Sequence, residues 1–319
     1  MKELNSDNKI LWVHNFTKGK GKGGIWMFNQ QELLQDRVDL YYAYGLRNPL
    51  NIVKHYFILR KRCKQYELVH AQYGSAVGFL VGLLNHSKIL TLRGSDWYKT
   101  KTNNWKDKLR IFFGYHFTRF SLYFQYKQLI VVSNKFKFTV LEQYPKLVIH
   151  VFTTPIDLKK FHPIPSQGKR EVKNVLFASV KLDNPVKRYE LAKRSFDLLK
   201  EKMPNVKWYV MNNISHEAVN EFINKADLIL ICSTHEGWPN VLKEALACNV
   251  PFVSTDISDM KVIAQRTESC VVCDANEESL SEGMFKVLSI GKSEDLRCLV
   301  EEYDIKNQRE TLENIYQKI

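Results

Sequence analysis

The sequence predicts an α/β protein with two parallel-sheet domains. Three observations carry that prediction. Apolar runs of strand length alternate with helix-length segments along most of the chain. A charged stretch with two prolines and one glycine, residues 160–173, interrupts this rhythm, which then restarts. The 319 residues supply chain for about two domains of roughly 100–200 residues each. Hydrophobic residues at 45% and charged residues at 25% are ordinary globular composition, which excludes wholesale disorder, collagen and coiled coil. Each half is long enough to bury its own core.

In the first half, Ile10–Phe16 reads as a strand, followed by a basic glycine-rich loop over 18–24 and a helix over Ile25–Leu34. Val38–Tyr44 and Tyr66–His70 are further strands, and Ala71–Leu84 is a mostly apolar segment. Lys88–Leu92 is a strand ending at Arg93-Gly94-Ser95-Asp96. Gln128–Ser133 leads into a helix through about Leu141, and Leu147–Val151 closes the series. The second half is expected to run as strand Asn174–Val180, helix Tyr189–Lys200, strand Lys207–Met211 and short helix Glu217–Asn224. Strand Leu228–Cys232, helix Val241–Cys248 and strands Pro251–Ser254 and Ser269–Cys273 follow, with helices Leu280–Ser289 and Gln308–Ile319 at the end. The expected organisation is a Rossmann-like domain over 1–160, a second over 161–295, and a C-terminal helical segment over 296–319 that can cross back to the first. Ligands of such folds bind outside the carboxyl ends of the strands.

The net charge of +13 is uneven. Residues 1–160 hold 26 Lys/Arg against 10 Asp/Glu, and residues 161–319 hold 21 against 24. The basic first half suggests an anionic partner there: nucleic acid, a membrane surface or a phosphorylated substrate. The six cysteines include one Cys-x-x-Cys, Cys270 and Cys273, with no second pair or histidine tract at zinc spacing. No resident metal or cofactor is expected. The N-terminal residues hold no apolar stretch long enough for a signal peptide, and no run of 18 apolar residues occurs. The expected location is the cytoplasm, with or without contact with the inner face of the cytoplasmic membrane.

The loop Gly19-Lys20-Gly21-Lys22-Gly23-Gly24 invites a phosphate-binding reading, because glycines let a backbone approach a ligand ahead of a helix N-terminus. Its spacing fits neither the P-loop nor the dinucleotide fingerprint. A flexible loop is the plainer reading, with Gly23 and Gly24 still candidates where a ligand passes the first turn.

The decisive stretch is Leu228–Asp256. A buried strand runs into a loop of Ser, Thr, His and Glu, and Gly237-Trp238-Pro239-Asn240 opens a helix. Glu236 precedes the helix and Glu244 lies along its flank. Two carboxylates so placed can grip a polyhydroxy ligand at two points, with its phosphates near the free N–H groups of Asn240, Val241 and Leu242. Two surface glutamates beside a packed helix are the bland alternative.

Glu236-Gly-Trp-Pro-Asn-Val-Leu-Lys-Glu244-Ala, followed by a small apolar helix end, Asn249, Val250 and Pro251, resembles the signature of the family 4 retaining glycosyltransferases. Other pieces resemble the same family in order: His70-Ala71-Gln72, Thr91-Leu-Arg-Gly-Ser-Asp96, Val132-Ser133, Pro155-Ile-Asp157, Phe161-His-Pro163, Val175–Ser179 and Lys187. The resemblance implies the GT-B architecture, two Rossmann-like domains facing across a cleft. It implies that Glu236 binds donor-sugar hydroxyls, that Glu244 binds the ribose of the nucleotide, and that Asn240–Leu242 lie near sugar and phosphates. The chain departs from the pattern at Arg93, where the family often has histidine, and at Ser179-Val180, Ser258-Asp259 and Thr154-Pro155. The usual arginine facing the diphosphate is absent or displaced to Lys181.

Transfer from a nucleotide sugar develops charge on the leaving diphosphate, which fixed cations and helix N–H groups stabilise. Lys187 is the expected cation, assisted by Lys181 or Arg188, and Arg93 is a further candidate toward an acidic group. No Asp-x-Asp ends a strand to hold a divalent ion, so metal-independent transfer is expected. Glu236 and Glu244 read as binding groups rather than a glycosidase pair.

Residues 97–127 hold eleven Trp, Phe or Tyr and seven Lys or Arg against one Asp. Three readings stand: a surface for anionic membrane, a helix packed on the sheet, and a platform for single-stranded nucleic acid, the last without a supporting motif. The leading function is glycosyl transfer from a nucleotide sugar to a glycan or polyprenyl-diphosphate-linked acceptor in surface polysaccharide assembly. The alternatives are another GT-B enzyme, such as a nucleotide-sugar 2-epimerase, and a non-enzymatic basic binding module.

Overall fold

The computed structural model describes residues 9–17, 25–34, 36–99, 102, 104–165, 171–212, 214–291 and 296–319. The chain divides into two compact units, Met1–Thr154 with Lys306–Ile319, and Pro155–Ile305.

Unit 1 alternates β1 (Ile10–His14), α1 (Ile25–Leu33), β2 (Val38–Tyr42), α2 (Pro49–Arg62), β3 (Leu68–Ala71), α3 (Ser75–Gly82), β4 (Lys88–Leu92), α4 (Trp105–Phe124), β5 (Gln128–Val131), α5 (Asn134–Gln143) and β6 (Val148–Val151). Its six strands are parallel in the order β2-β1-β3-β4-β5-β6. Unit 2 holds β7 (Lys173–Ala178), α6 (Tyr189–Lys202), β8 (Val206–Met211), α7 (Val219–Asn224), β9 (Leu228–Ile231), α8 (Asn240–Ala247), β10 (Phe252–Thr255), α9 (Met260–Ala264), β11 (Val271–Cys273) and α10 (Glu277–Ile290). Its five strands are parallel in the order β11-β10-β9-β7-β8. A 3₁₀ segment, Leu296–Tyr303, leads to α11 (Ile305–Tyr316), which carries the chain back into unit 1.

Both sheets are covered on two faces, which is why their strands read as continuous apolar runs rather than alternating ones. In unit 1, Leu59, Val77, Leu80, Leu122 and Phe136 build the core on one face. Met27, Leu34, Leu312, Ile315 and Tyr316 cover the other. Caps set several helix starts. Asn48 accepts the Leu50 amide at 3.0 Å ahead of Pro49, and Asn104 accepts the Lys106 amide at 2.9 Å.

Two expectations are revised. The break between units falls at 154/155 rather than 160/161, and 160–165 are not a loose linker. Ile156 pairs with Asp304, Leu158 and Phe161 are buried, and the Arg297 guanidinium donates to the carbonyls of both at 2.6 Å. Residues 296–305 accordingly stay with unit 2, and the part of the C-terminal segment that belongs to unit 1 begins at Lys306. The helix α2 was not anticipated. No helix among the described residues is long and apolar enough to cross a membrane.

Candidate active site

In unit 2 the polar side chains gather at the carboxyl end of β9. The buried strand stops at Ile231, and the loop to α8 must satisfy its own backbone groups. Arg188 does much of this. Its Nε donates to the Cys232 carbonyl, and a terminal nitrogen donates to the Ser233 carbonyl at 2.9 Å. Thr255, at the end of β10, donates to the same Ser233 carbonyl at 2.7 Å. Ser258 donates to the Gly237 carbonyl at 2.6 Å. Arg188, expected as an assisting phosphate cation, thus also holds the loop. Burial lowers its pKa.

On this support stands Glu236. Its Oε1 meets Lys187 Nζ at 2.5 Å and accepts the Ser233 hydroxyl at 2.8 Å. Both members of the pair are about four-fifths buried, with 22% and 20% of their side-chain surface exposed. The two residues the sequence singled out 49 positions apart are thus in direct contact. His235 beside them is held below its ordinary pKa, chiefly by burial.

Glu244 sits midway along α8 with Lys243 and Lys160 as charged neighbours. Burial pushes its carboxyl up to about 7, against the pull of those two lysines. Asn240 is exposed at the first position of α8. The expected trio of free amides loses one member, because the Leu242 N–H donates to the Pro239 carbonyl at 3.1 Å. Lys181 is exposed in the loop after β7, where its carbonyl accepts the Ser179 hydroxyl at 2.7 Å.

Unit 1 has its own polar cluster at the ends of β3 and β4. Asp96 folds the Arg93–Asp96 turn by accepting the amides of Gly74, Arg93 and Gly94, each at 2.9 Å. Gly94 has φ +99°, where a side chain would be strained. Burial raises the Asp96 pKa against these amides. Arg93 reaches Gln30 at 3.2 Å and Gln72 at 3.4 Å, and burial lowers its pKa to about 9. The same Gln72 donates to His70 Nδ1 at 3.0 Å.

The protonation of this cluster follows from its donors. Trp12 Nε1–H donates to the Tyr316 oxygen at 2.9 Å, so the Tyr316 hydroxyl proton goes to His70 Nδ1 at 2.7 Å. His70 Nδ1 is then an acceptor, and Nε2–H donates to Thr91 at 2.6 Å. A neutral His70 is consistent with its pKa, held well below the ordinary value first by burial and then by Arg93. His14, at the end of β1, is packed by Phe16, Phe28 and Tyr42, and burial lowers its pKa to about 4. Gly23 and Gly24 lie outside the described residues. Sequence reasoning missed Ser233, Thr255 and Tyr316. The first two carry a faint signal as hydroxyl residues at strand ends, but Tyr316 meets a partner 246 positions away and carries none.

Residues 197–306 match the family model described as glycosyl transferases group 1. A comparison of the sequence with curated proteins finds no match. Among solved structures, the chain is similar to a sucrose-phosphate synthase from Thermosynechococcus elongatus, at 13% identity and a TM-score of 0.66, over 98% of both chains. It is similar to Anabaena HepE in complex with UDP and glucose, at 12% identity and a TM-score of 0.68, over 98% of this chain and 100% of that one. It is also similar to the lipopolysaccharide outer core galactosyltransferase WaaB, at 14% identity and a TM-score of 0.67, over 98% of this chain and 100% of that one. With two parallel-sheet α/β units and these likenesses over nearly its whole length, the chain has the fold of GT-B glycosyltransferases, and its segment 197–306 matches glycosyl transferases group 1.

Proposed function

We propose that this protein is a retaining glycosyltransferase that moves a sugar from a nucleoside-diphosphate sugar to a glycan or polyprenyl-diphosphate-linked acceptor in surface polysaccharide assembly. The observation that carries the reading is the partly buried Lys187–Glu236 pair at the carboxyl end of β9, on a loop held by Arg188, Ser258 and Thr255. The bound UDP and glucose in Anabaena HepE support a nucleotide-sugar donor. The pair keeps a cation and an anion ready in a half-dry site. With donor bound, Lys187 meets charge growing on the leaving diphosphate and Glu236 accepts sugar hydroxyls. The ionised Glu244 accepts ribose hydroxyls, and the Asn240 and Val241 amides supply the helix end. Arg93, held by Gln30 and Gln72 in unit 1, serves an acidic group of the acceptor, and the exposed Lys181 is a second cation. The transfer is metal-independent in this reading, and the basic half of the chain draws in an acceptor carrying phosphates.

A panel of UDP-, GDP- and dTDP-sugars tests the reading. One donor is expected to raise the melting temperature and to be turned over, with EDTA leaving the rate unchanged. The anomeric configuration of the product, read by NMR, is expected to equal that of the donor. No stabilisation and no hydrolysis with any donor would sink it, and an inverted product would sink retention.

A further inference from the structure

The helix α4 is built inside out. Its inner side is small and polar: Thr118 accepts the Ser75 amide at 2.7 Å, and a Cβ on Gly114 would come within 2.8 Å of the Ser75 hydroxyl. Thr118, Ser121 and Leu122 are its buried residues. The large rings point the other way. Trp105, Phe112, Phe113, Phe120, Tyr123 and Phe124 are all exposed, Tyr123 by 73% and Phe124 by 68%. At about 100° per residue these six fall within an arc of about 120°. On α2, Leu50, Val53, Phe57 and Ile58 are exposed as well, and α3 packs against both α2 and α4. Among the described residues, these two helices expose eleven large hydrophobic side chains, whereas all of unit 2 exposes six. Chance exposure does not gather them this way.

The charges around the stripe are of one sign. Lys106, Lys108 and Arg110 are exposed in the first turns of α4, and Lys54, Arg60 and Lys61 are exposed on α2. Asp107 is the only acid in either helix, and it falls on the side of α4 away from the rings, where it meets Arg110 at 3.2 Å. We propose that the outer face of α2 and α4 is a docking surface for an anionic lipid bilayer, with α4 lying in the plane of the interface and its rings among the acyl chains. Lysines beside interfacial rings are the chemistry that anionic headgroups attract. A second copy of the chain fits poorly, because a two-fold contact would press like charges together. Single-stranded nucleic acid fits poorly too, because the stripe is a convex apolar ridge rather than a groove tracking a phosphate backbone.

The surface does not depend on the sugar chemistry proposed above, and its test contains no sugar. The full chain is sedimented with vesicles of phosphatidylcholine, with and without phosphatidylglycerol. It is expected to pellet with the anionic vesicles, and less so as salt rises. The double variants Phe112→Ser/Phe113→Ser and Tyr123→Ser/Phe124→Ser are each expected to lower the bound fraction about tenfold at an unchanged melting temperature. Lys106→Glu/Lys108→Glu is expected to do the same, and Phe285→Ser in unit 2 to change nothing. Wild-type protein left in the supernatant would overturn the proposal, as would ring variants that pellet like wild type. Ring variants that turn a dimer into a monomer without touching vesicle binding would assign the face to a second copy instead.

Discussion

Helix α6 of unit 2 and helix α4 of unit 1 follow parallel strands in the same way, yet they face opposite directions. Ala192, Phe196 and Leu199 of α6 are buried against the sheet, with lysines outward. In α4 the rings are outward and Thr118 and Ser121 are inward. Both interiors hold polar groups: unit 1 buries His14, His70 and Asp96, and unit 2 buries Lys243 and Asp259 and keeps the Lys187–Glu236 pair at a loop. A period of 3.6 shows that one face of a helix is apolar; it does not show which face meets the core.

The largest effects are expected at the loop of unit 2. Glu236→Gln and Lys187→Ala should each lower turnover about 10²–10³-fold with little change in melting. Near-wild-type rates in both variants would move the chemistry elsewhere. Next comes the inner face of α4: Leu122→Ala should cost about 2–5 kcal/mol of stability by urea titration. Tyr316→Phe should cost about 1–3 kcal/mol, because it leaves the buried Trp12 Nε1–H without its acceptor.

The units should also respond oppositely to pH. His14 has its pKa lowered to about 4, so its contribution is present above the unfolded value near 6.5 and is lost as pH falls toward about 4; His70 is shifted the same way. Glu244 has its pKa raised to about 7, so its contribution is present below the unfolded carboxyl range and is lost as pH rises through about 7. If Glu244 accepts ribose hydroxyls as proposed, nucleotide binding should tighten over that same rise. Calorimetric titrations with UDP at several pH values would show this, and Glu244→Gln should flatten the dependence. The smallest effect is expected one residue from a large one: Tyr123→Ser should stay within about 0.5 kcal/mol of wild type. A loss there as large as that of Leu122→Ala would mean that the rings are packed.

The parallel sheets were legible because their strands are continuous apolar runs, and the Glu236-to-Pro251 stretch was legible because its spacing is local. The pairing of Lys187 with Glu236 could be expected only through resemblance. The helix α2 escaped notice because Ile52, Val53, Tyr56 and Phe57 weaken a helical reading, although Asn48-Pro49 is a start signal. The loop-holding role of Arg188 was not legible because charge alone does not reveal a guanidinium that donates to two carbonyls. The division at 154/155 escaped because Pro163 and Pro165 mark a turn, whereas the pairing of Ile156 with Asp304 spans most of a domain.

Trp12 and Tyr316 are bonded across 304 positions, with all of unit 2 threaded between them. A ribosome makes the six strands of unit 1 first and the helix that covers one side of them last. Until α11 emerges, Ile10, Trp12 and Met27 lack the cover of Leu312, Ile315 and Tyr316. The nascent first half must therefore wait, partly bare, while about 150 further residues are synthesised over some seconds.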